Sequence, residues 1–493
     1  MEAASLFEAF AEISSAQADR PALLVDDGSV WSFADLRIHA GRFARLLRRR
    51  GVMPGDRVVV QVEKSSDAVA LYLACVQVGA IFVPLNTAYT ATEVGYFLND
   101  AEPALFVHAP ARSFDWRGAS ASLGADGSGT LPAEALELSS DPDITPRDGG
   151  DIAALCYTSG TTGRSKGAMI SHGNLLSNAR TLIDLWEFGP ADRLVHILPI
   201  FHVHGLFVAL HCALLSGATI LFERGFSAER VRGLLPDATV MMGVPTHYTR
   251  LLADEAFGAA DCAAMRLFIS GSAPLLAETH DRFTARTGHA ILERYGMTEA
   301  GMITSNPYRG ARIAGTVGYP LPGISARIRD GDAGLIEPGA VGTLEIAGPN
   351  VFKGYWRMPD KTADSFTEDG WFVTGDLVTS DHDGRITIVG RAKDLIISGG
   401  YNIYPKEIES VIDELDGVVE SAVIGISHPD FGEAVVAVIV VENGAAVTES
   451  AVLGWIEQQL ARFKHPRQIH FIDALPRNAM GKVQKAELRR IFA

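Results

Sequence analysis

Apolar residues in the first two thirds of the chain alternate between helical spacing and short continuous runs. In the segment SFADLRIHAGRFARLLRRRG they recur every three or four residues, at Phe33, Leu36, Ala40, Phe43 and Leu47. This spacing predicts a helix, and the run DRVVVQ that follows predicts a strand. The same order recurs, with predicted helices over residues 67–79, 91–99, 173–186 and 203–216, each before an apolar run. Such alternation is typical of parallel sheets covered by helices.

The pattern changes near residue 320. The short alternating segments GTLEIAG and RITIVG predict antiparallel strands, arranged as a small barrel or ribbon. Beyond GRAKD, a helix at PKEIESVIDEL, two apolar strands, a helix over 448–461 and the strand QIHFID predict a compact α+β unit. Residues 110–150 show no period and predict a surface loop.

These patterns predict a multidomain α/β protein. Its large N-terminal domain, residues 1–390, contains stacked helix-covered sheets and a small β-barrel, and its smaller α+β C-terminal domain spans residues 391–493. The length of 493 residues agrees, because a single hydrophobic core does not grow to that size.

Composition narrows the class of partner. The net charge of −16 provides no general attraction for nucleic acid or an anionic membrane, so anionic ligands must be bound by individual Lys and Arg residues. The longest apolar run, residues 68–83, is shorter than the roughly 18 residues of a membrane span. Four widely spaced cysteines and an acidic N-terminus without a signal-like apolar segment favour a cytoplasmic protein.

The segment YTSGTTGRSKGAM, residues 157–169, carries the first chemical signal. Its glycines let backbone N–H groups converge, its hydroxyls add donors, and Lys166 adds positive charge after an apolar strand. These are the requirements for binding a polyphosphate, although the spacing is not that of a Walker loop.

This segment resembles the nucleotide loop of the adenylate-forming superfamily, which includes acyl-CoA synthetases, adenylation domains and luciferases. Further matches follow in order over nearly the whole chain: LPIFHVHG, GSAPL, ERYGMTE, TGD, GRAKDLIISGGYNIYPKEIE and PRNAMGKVQK. The resemblance implies that a carboxylate attacks the α-phosphate of ATP, that diphosphate leaves, and that the thiol of CoA then takes the acyl group. It also implies a mobile C-terminal lid with its hinge near Lys393.

The resemblance assigns roles to individual residues. It implies an ATP and AMP site formed by Thr158, Ser159, Gly160, Thr161, Thr162, Gly163, Lys166, Tyr295, Gly296, Thr298, Asp376 and Arg391. Glu299 would bind Mg²⁺, and Lys482 would be the catalytic lysine that bridges the α-phosphate and the reacting carboxylate. Gly400 and Tyr401 would line the path of the CoA thiol after the lid rotates.

The acyl pocket is implied at the residues after LPIF, at GSAPL and at ERYGMTE. Its side chains would be His202, near the reacting carboxylate and also a catalytic candidate, with Val203, Ser272, Arg294 and Met302. Arg294 is the distinctive one, because a pocket for an apolar acid gains nothing from a buried unpaired guanidinium. A second carboxylate on the substrate would pair with it through two parallel hydrogen bonds. The sequence leaves open that Arg294 points outward or pairs with Glu293.

More specifically, the sequence around GSAPL and ERYGMTE resembles that of malonyl-CoA synthetases, which implies malonate or methylmalonate as the acid. The small-molecule partners are then a dicarboxylic acid, ATP and CoA, in a monomer or a dimer that binds neither nucleic acid nor membrane. Two other enzymes stay open: a CoA ligase for a short monocarboxylic or aryl acid, and a stand-alone adenylation enzyme that loads a carrier protein. A nucleotide sensor without turnover is disfavoured, because Lys166, Glu299, Asp376 and Lys482 are all present.

Overall fold

The computed structural model describes residues 5–158, 165–330, 334–398, 401–429, 431–478 and 482–493. Some residues of the predicted site lie outside these ranges: Ser159, Gly160, Thr161, Thr162, Gly163 and Gly400. Among the described residues, no helix has both the length and the apolar character needed to span a membrane.

The helices alternate with strands along most of the chain. The α-helices are α1 (Leu6–Ala16), α2 (Phe33–Arg49), α3 (Ser66–Val78), α4 (Ala91–Ala101), α5 (Thr130–Leu136), α6 (His172–Leu185), α7 (Leu210–Ser216), α8 (Ala228–Leu234), α9 (Pro245–Ala253), α10 (Ala277–Thr287), α11 (Pro359–Ala363), α12 (Pro405–Asp413), α13 (Glu449–Glu457) and α14 (Lys485–Phe492).

The strands up to the middle of the chain are β1 (Pro21–Val25), β2 (Val30–Ser32), β3 (Arg57–Gln61), β4 (Ile81–Pro84), β5 (Leu105–His108), β6 (Ser120–Ser122), β7 (Ile152–Thr158), β8 (Lys166–Ser171), β9 (Arg193–His196), β10 (Thr219–Phe222), β11 (Val240–Gly243) and β12 (Leu267–Ser270). The others are β13 (Leu292–Met297), β14 (Gly301–Ser305), β15 (Tyr319–Pro320), β16 (Ser325–Arg329), β17 (Gly342–Ala347), β18 (Phe372–Ser380), β19 (Ile386–Arg391), β20 (Ile396–Ser398), β21 (Tyr401–Ile403), β22 (Val418–His428), β23 (Gly432–Val441) and β24 (Gln468–Phe471).

Two helix-covered sheets form the N-terminal part. The first has nine strands in the order β15-β14-β13-β12-β11-β9-β10-β1-β2, and the second has six in the order β6-β5-β3-β4-β7-β8. The central strands of both sheets are parallel, as the alternation predicted. The largest buried core joins them, with Val58 and Phe82 from the second sheet and Ile269 and Leu292 from the first.

The predicted helices α2, α3, α4 and α6 are confirmed, but three predictions need correction. The helix predicted over 203–216 begins as a π-helix at His204–Ala209 and becomes α-helical only in α7. The loop predicted over 110–150 contains β6 and α5. The predicted small barrel is, among the described residues, a four-stranded antiparallel sheet in the order β16-β17-β18-β19.

The C-terminal part is α+β, as predicted. Strands β20 to β24 form one sheet, and β22 and β23 pair antiparallel over their whole length. Apolar residues on the two faces of this sheet lie in two separate cores, one against α12 and α13 and the other against α14. The boundary between domains at residue 390 stays a prediction.

Candidate active site

The segment ERYGMTE forms the end of strand β13 and the turn into β14. Arg294 and Tyr295 pair with Ser305 and Thr304 of β14, and the register shifts by a bulge before Gly296. The turn after Met297 therefore carries Thr298 and Glu299, so one hairpin presents Arg294 and the nucleotide candidates close together.

Arg294 is buried and lacks protein partners for two of its nitrogens. Its side chain is 4% exposed, and among the described residues its Nε and Nη2 have no hydrogen-bond partner. Burial, opposed by Tyr248 and Cys212, lowers the pKa of Arg294 to about 10, so the group is still a cation at neutral pH. The Arg294 side chain therefore does not point outward, which was one of the two alternatives that the sequence left open.

Glu293 does not neutralise this charge. Successive residues of a strand point to opposite faces, and the Glu293 carboxylate accepts a hydrogen bond from the backbone N–H of Gly315 at 2.9 Å. Burial raises the pKa of Glu293 to about 8, an effect that Gly315 and Lys406 oppose. A largely protonated acid on the other face of β13 leaves Arg294 without a counter-ion there.

The backbone at Gly271 makes room for the guanidinium. A Cβ atom at this position would lie 2.3 Å from the Cζ of Arg294. Such a distance is far inside van der Waals contact, so this approach requires glycine. The next residue, Ser272, has a φ of +70°, which is uncommon for a side-chain-bearing residue.

The histidines after LPIF lie next to these groups. The Nδ1 of His202 accepts the backbone N–H of His204 at 3.2 Å, and the Nδ1 of His204 lies 3.1 Å from the Ser272 hydroxyl. Burial, Lys482 and Arg294 lower the pKa of His202 to about 3. Both rings are neutral at physiological pH, since burial also places the pKa of His204 well below its ordinary value. His204 is buried, and its ring contacts the predicted pocket residue Ser272.

A second group of side chains gathers around Asp376. The Arg391 Nε lies 2.5 Å from the Asp376 carboxylate, and the Tyr295 hydroxyl donates to the same carboxylate. Burial raises the pKa of Asp376, and Arg391 and Tyr295 oppose this effect. The register of β18 and β19 places Asp376 opposite Arg391, which explains why residues distant in sequence meet here.

Glu299 lies in the turn between β13 and β14. It is 7% exposed, and its carboxylate accepts the Tyr355 hydroxyl at 3.0 Å. The Lys166 ammonium lies 4.7 Å from the centre of the same Tyr355 ring. No cluster of three or more His, Cys, Asp or Glu side chains with metal-binding geometry occurs among the described residues. One hard carboxylate fits Mg²⁺, which keeps waters and binds phosphate oxygens in addition to protein ligands.

Lys482 reaches this site from the C-terminal part. Its pKa is lowered by desolvation and by Arg391, and Asp376 and Glu299 act in the opposite direction. Arg294 also lowers the pKa of Lys482, so Lys482 interacts electrostatically with both the Asp376 group and Arg294. Lys393 lies in a short 3₁₀ turn, Ala392–Asp394, between β19 and β20.

Tyr401 is not brought into this group. It is 56% exposed and stacks on Phe463 of the C-terminal part, with ring centres 4.6 Å apart. Val203 and Thr298 both line one small cavity, together with Gly301. Met302 pairs with Gly296 across the hairpin.

A buried contact between the two sheets involves Lys64 and His196, and no sequence motif predicts it. The Lys64 ammonium lies 2.7 Å from the His196 Nδ1, 2.9 Å from the His196 carbonyl oxygen and 4.5 Å from the centre of the Phe222 ring. The His196 Nε2 lies 2.9 Å from the carbonyl oxygen of Gly205, in the π-helix beside the acyl candidates. A lone lysine before α3 carries no motif, so only the fold reveals this contact.

Comparison with known proteins agrees with this geometry. The family model described as AMP-binding enzyme matches residues 10–356, and the model of the AMP-binding enzyme C-terminal domain matches residues 407–482. The chain therefore belongs to the AMP-binding enzyme family, and it is an AMP-forming acid–CoA ligase with ATP and CoA as co-substrates.

Individual relatives cover nearly the whole chain. The crystal structure of ATP-bound MatB from Rhodopseudomonas palustris is 50% identical, with a TM-score of 0.95 and 99% of each chain covered. The malonate–CoA ligase of Arabidopsis thaliana is 35% identical over 98% of this chain and 88% of that protein. The feruloyl-CoA synthase of an Amycolatopsis species is 36% identical over 94% of each. Since these relatives differ in their acid, the substrate must be argued from the pocket.

Proposed function

We propose that the protein is a malonyl-CoA synthetase, which converts malonate, ATP and CoA into malonyl-CoA, AMP and diphosphate through a malonyl-adenylate. Methylmalonate is a possible second substrate of the same site. The observation that carries this proposal is the buried Arg294 guanidinium, whose Nε and Nη2 have no partner among the described residues.

A short diacid supplies what Arg294 lacks. Its far carboxylate accepts two parallel hydrogen bonds from the guanidinium fork, which removes the cost of the buried unpaired charge. Its near carboxylate, the one that reacts with ATP, then lies toward the hairpin of β13 and β14, which carries the nucleotide-binding candidates. A feruloyl or other aryl group offers no anion for Arg294, so the pocket favours the malonate class over an aryl acid.

The other candidate residues bind the nucleotide and stabilise the charges that develop during adenylation. The segment from Thr158 to Lys166 binds the β- and γ-phosphates, and Asp376 with Arg391 orients the ribose. Glu299 would hold Mg²⁺, which would supply positive charge beside the phosphates. Lys482 stabilises the charge that develops between the carboxylate and the α-phosphate.

The near carboxylate is the nucleophile, and neutral His202 acts on it as a hydrogen-bond donor. Because the His202 Nδ1 accepts a backbone N–H, its proton resides on Nε2. After diphosphate leaves, the lid rotates about Lys393. Gly400 and Tyr401 then line the path by which the CoA thiol reaches the adenylate.

Acid-dependent ATP–diphosphate exchange tests the proposal. The panel is acetate, propionate, malonate, methylmalonate and succinate, and malonate is expected to give the highest kcat/KM. A higher value for acetate or propionate overturns the diacid assignment. Thiolysis of the adenylate by free CoA, compared with a phosphopantetheinyl carrier protein, separates the CoA ligase from a carrier-loading enzyme.

A further inference from the structure

Two buried asparagine side chains bind the backbone just after Glu299. The Asn178 Nδ2 donates to the Met302 carbonyl oxygen at 2.8 Å, and the Asn178 Oδ1 accepts the Met302 N–H at 3.0 Å. The Asn350 Nδ2 donates to the carbonyl oxygen of Ala300 at 2.7 Å and, at the longer distance of 3.4 Å, to that of Met302. Asn178 therefore satisfies both backbone groups of Met302, as a neighbouring strand would.

The space around this contact is small and closed. Asn178 is 7% exposed and Met302 is 3% exposed. Gly301 has a φ of +56°, and a Cβ there would lie 2.8 Å from the Asn178 Oδ1. The same side chain thus fixes the backbone of Met302 and excludes other residues at Gly301.

The Asn178–Met302 contact lies close to both the acyl-pocket candidates and the nucleotide-binding candidates. Asn178 lines one cavity with Val203 of the acyl pocket and Thr298 of the nucleotide hairpin. Met302 is a proposed wall of the acyl pocket, so a shift of its backbone would move that wall relative to the acid. A methyl branch on the acid is discriminated by only about 1–3 kcal/mol, so small shifts of a wall residue are enough to alter it.

We propose that Asn178 is a positioning residue that sets the preference of the enzyme for malonate over methylmalonate, by fixing the backbone of Met302. This inference rests on the proposed function, because it takes Met302 as a wall of the acyl pocket. Asn178 acts on the acid only through Met302 and does not contact the reacting atoms.

The test is the ratio of kcat/KM for malonate to kcat/KM for methylmalonate in Asn178→Ala and Asn178→Asp. The Ala change removes both hydrogen bonds. The Asp change keeps the size and the acceptor but replaces the donor with an oxygen that repels the Met302 carbonyl. The ratio does not depend on the fraction of active enzyme, so it stays measurable if a variant is less stable.

Asn174→Ala is the matched control. Asn174 lies one helical turn earlier on α6, is 4% exposed, and donates to the carbonyl oxygens of Pro349 and Val351 at 2.7 and 2.8 Å. It lines the same cavity but does not bond to Met302. We expect it to lower Tm and to leave the acid ratio within about twofold of wild type.

Both Asn178 variants are expected to lower the ratio by about fivefold or more, toward methylmalonate, with a smaller change in the KM for ATP. An unchanged ratio in both, or an equal shift in Asn174→Ala, overturns the inference. If wild type uses malonate and the ratio stays constant, this inference fails alone. If wild type does not activate malonate at all, the proposed function itself fails.

Discussion

At the scale of single residues, Arg294 is a buried cation whose Nε and Nη2 have no hydrogen-bond partner among the described residues. Folding leaves it charged, because a pKa of about 10 is still well above neutral pH. An uncompensated buried cation costs several kcal/mol. Under the proposed function, a substrate carboxylate recovers much of that cost on binding, and we therefore expect selectivity for an acid with a second negative group.

Gly271 is the residue that permits this placement, and Gly271→Ala tests it. A Cβ atom 2.3 Å from the Arg294 Cζ forces the guanidinium to move. We expect kcat/KM for malonate to fall roughly tenfold or more, since a charged two-point contact is sensitive to small displacements. The measurement is the malonate-dependent exchange rate.

Gly233→Ala is the control for Gly271→Ala. Gly233 lies in α8, and no atom lies within 4 Å of a Cβ placed there. This change is expected to leave exchange intact and to stabilise the helix by about 0.5–1 kcal/mol. Wild-type malonate activity in Gly271→Ala would mean that the guanidinium position is not critical.

A second residue-scale prediction concerns the charge of His202. Its pKa of about 3 keeps the ring neutral over the whole range in which an ordinary histidine titrates. His202→Gln, which keeps a hydrogen-bond donor without a titrating group, should therefore lower kcat/KM by a similar factor at every pH between about 5.5 and 8. A loss that changes several-fold across about pH 6.5 would show that His202 gains a proton in the working enzyme.

The site was partly predictable at this scale. Arg294 and Glu299 are recognisable by residue type and by their position in ERYGMTE. Gly271 and Asn178 are not, because their roles depend on contacts with residues more than twenty positions away. No local pattern contains that information.

At the scale of elements, the helical segment that follows β9 departs from regular α-helix. The sequence predicts one continuous helix over 203–216, but the chain begins as a π-helix at His204–Ala209. The His196 ring contacts the Gly205 carbonyl oxygen in this segment and is itself contacted by Lys64. Hydrophobic spacing cannot reveal a change of helix type that polar contacts stabilise.

Lys64 and His196 should therefore be strongly coupled. Burial lowers the pKa of Lys64 well below that of an ordinary lysine. Removing the ring in His196→Leu leaves this buried amino group with an unmet hydrogen bond, so we expect a loss of about 1–3 kcal/mol in unfolding free energy. The double variant Lys64→Met/His196→Leu should recover at least about 1 kcal/mol of that loss. Denaturant unfolding of the four proteins in the cycle measures the coupling, and additive losses would contradict it.

At the scale of the whole molecule, the order of elements was predictable and their pairing was not. The alternation of helical apolar spacing with short apolar runs identified most of the helices and parallel strands. It did not show that β8 pairs antiparallel with β7 at the edge of the second sheet, or that β14 and β15 extend the first sheet beyond β13. Pairing between distant strands is decided by tertiary packing, which local periodicity does not contain.

The position of the lid gives a prediction at this scale. Lys482 lies among charges of the N-terminal part, and desolvation lowers its pKa below that of an ordinary lysine. Adenylation needs the ammonium form, so the exchange rate should fall as pH rises through this lowered pKa. Lys482→Ala should lose adenylation about a hundredfold or more while a supplied malonyl-adenylate still reacts with CoA. Equal loss of both half-reactions would contradict a role confined to adenylation.

The central claim is that Arg294 binds the second carboxylate of the acid, and one comparison tests it most directly. Exchange kinetics are measured for wild type and Arg294→Ala with malonate and with propionate. Arg312→Ala is the control, because the Arg312 guanidinium already donates to the carbonyl oxygens of Ala290 and Tyr308.

The account predicts that Arg294→Ala lowers kcat/KM for malonate roughly a hundredfold and leaves propionate within about threefold of wild type. Arg312→Ala should leave the ratio of the two acids unchanged. Retention of malonate activity in Arg294→Ala, or an equal loss with both acids, would contradict the account.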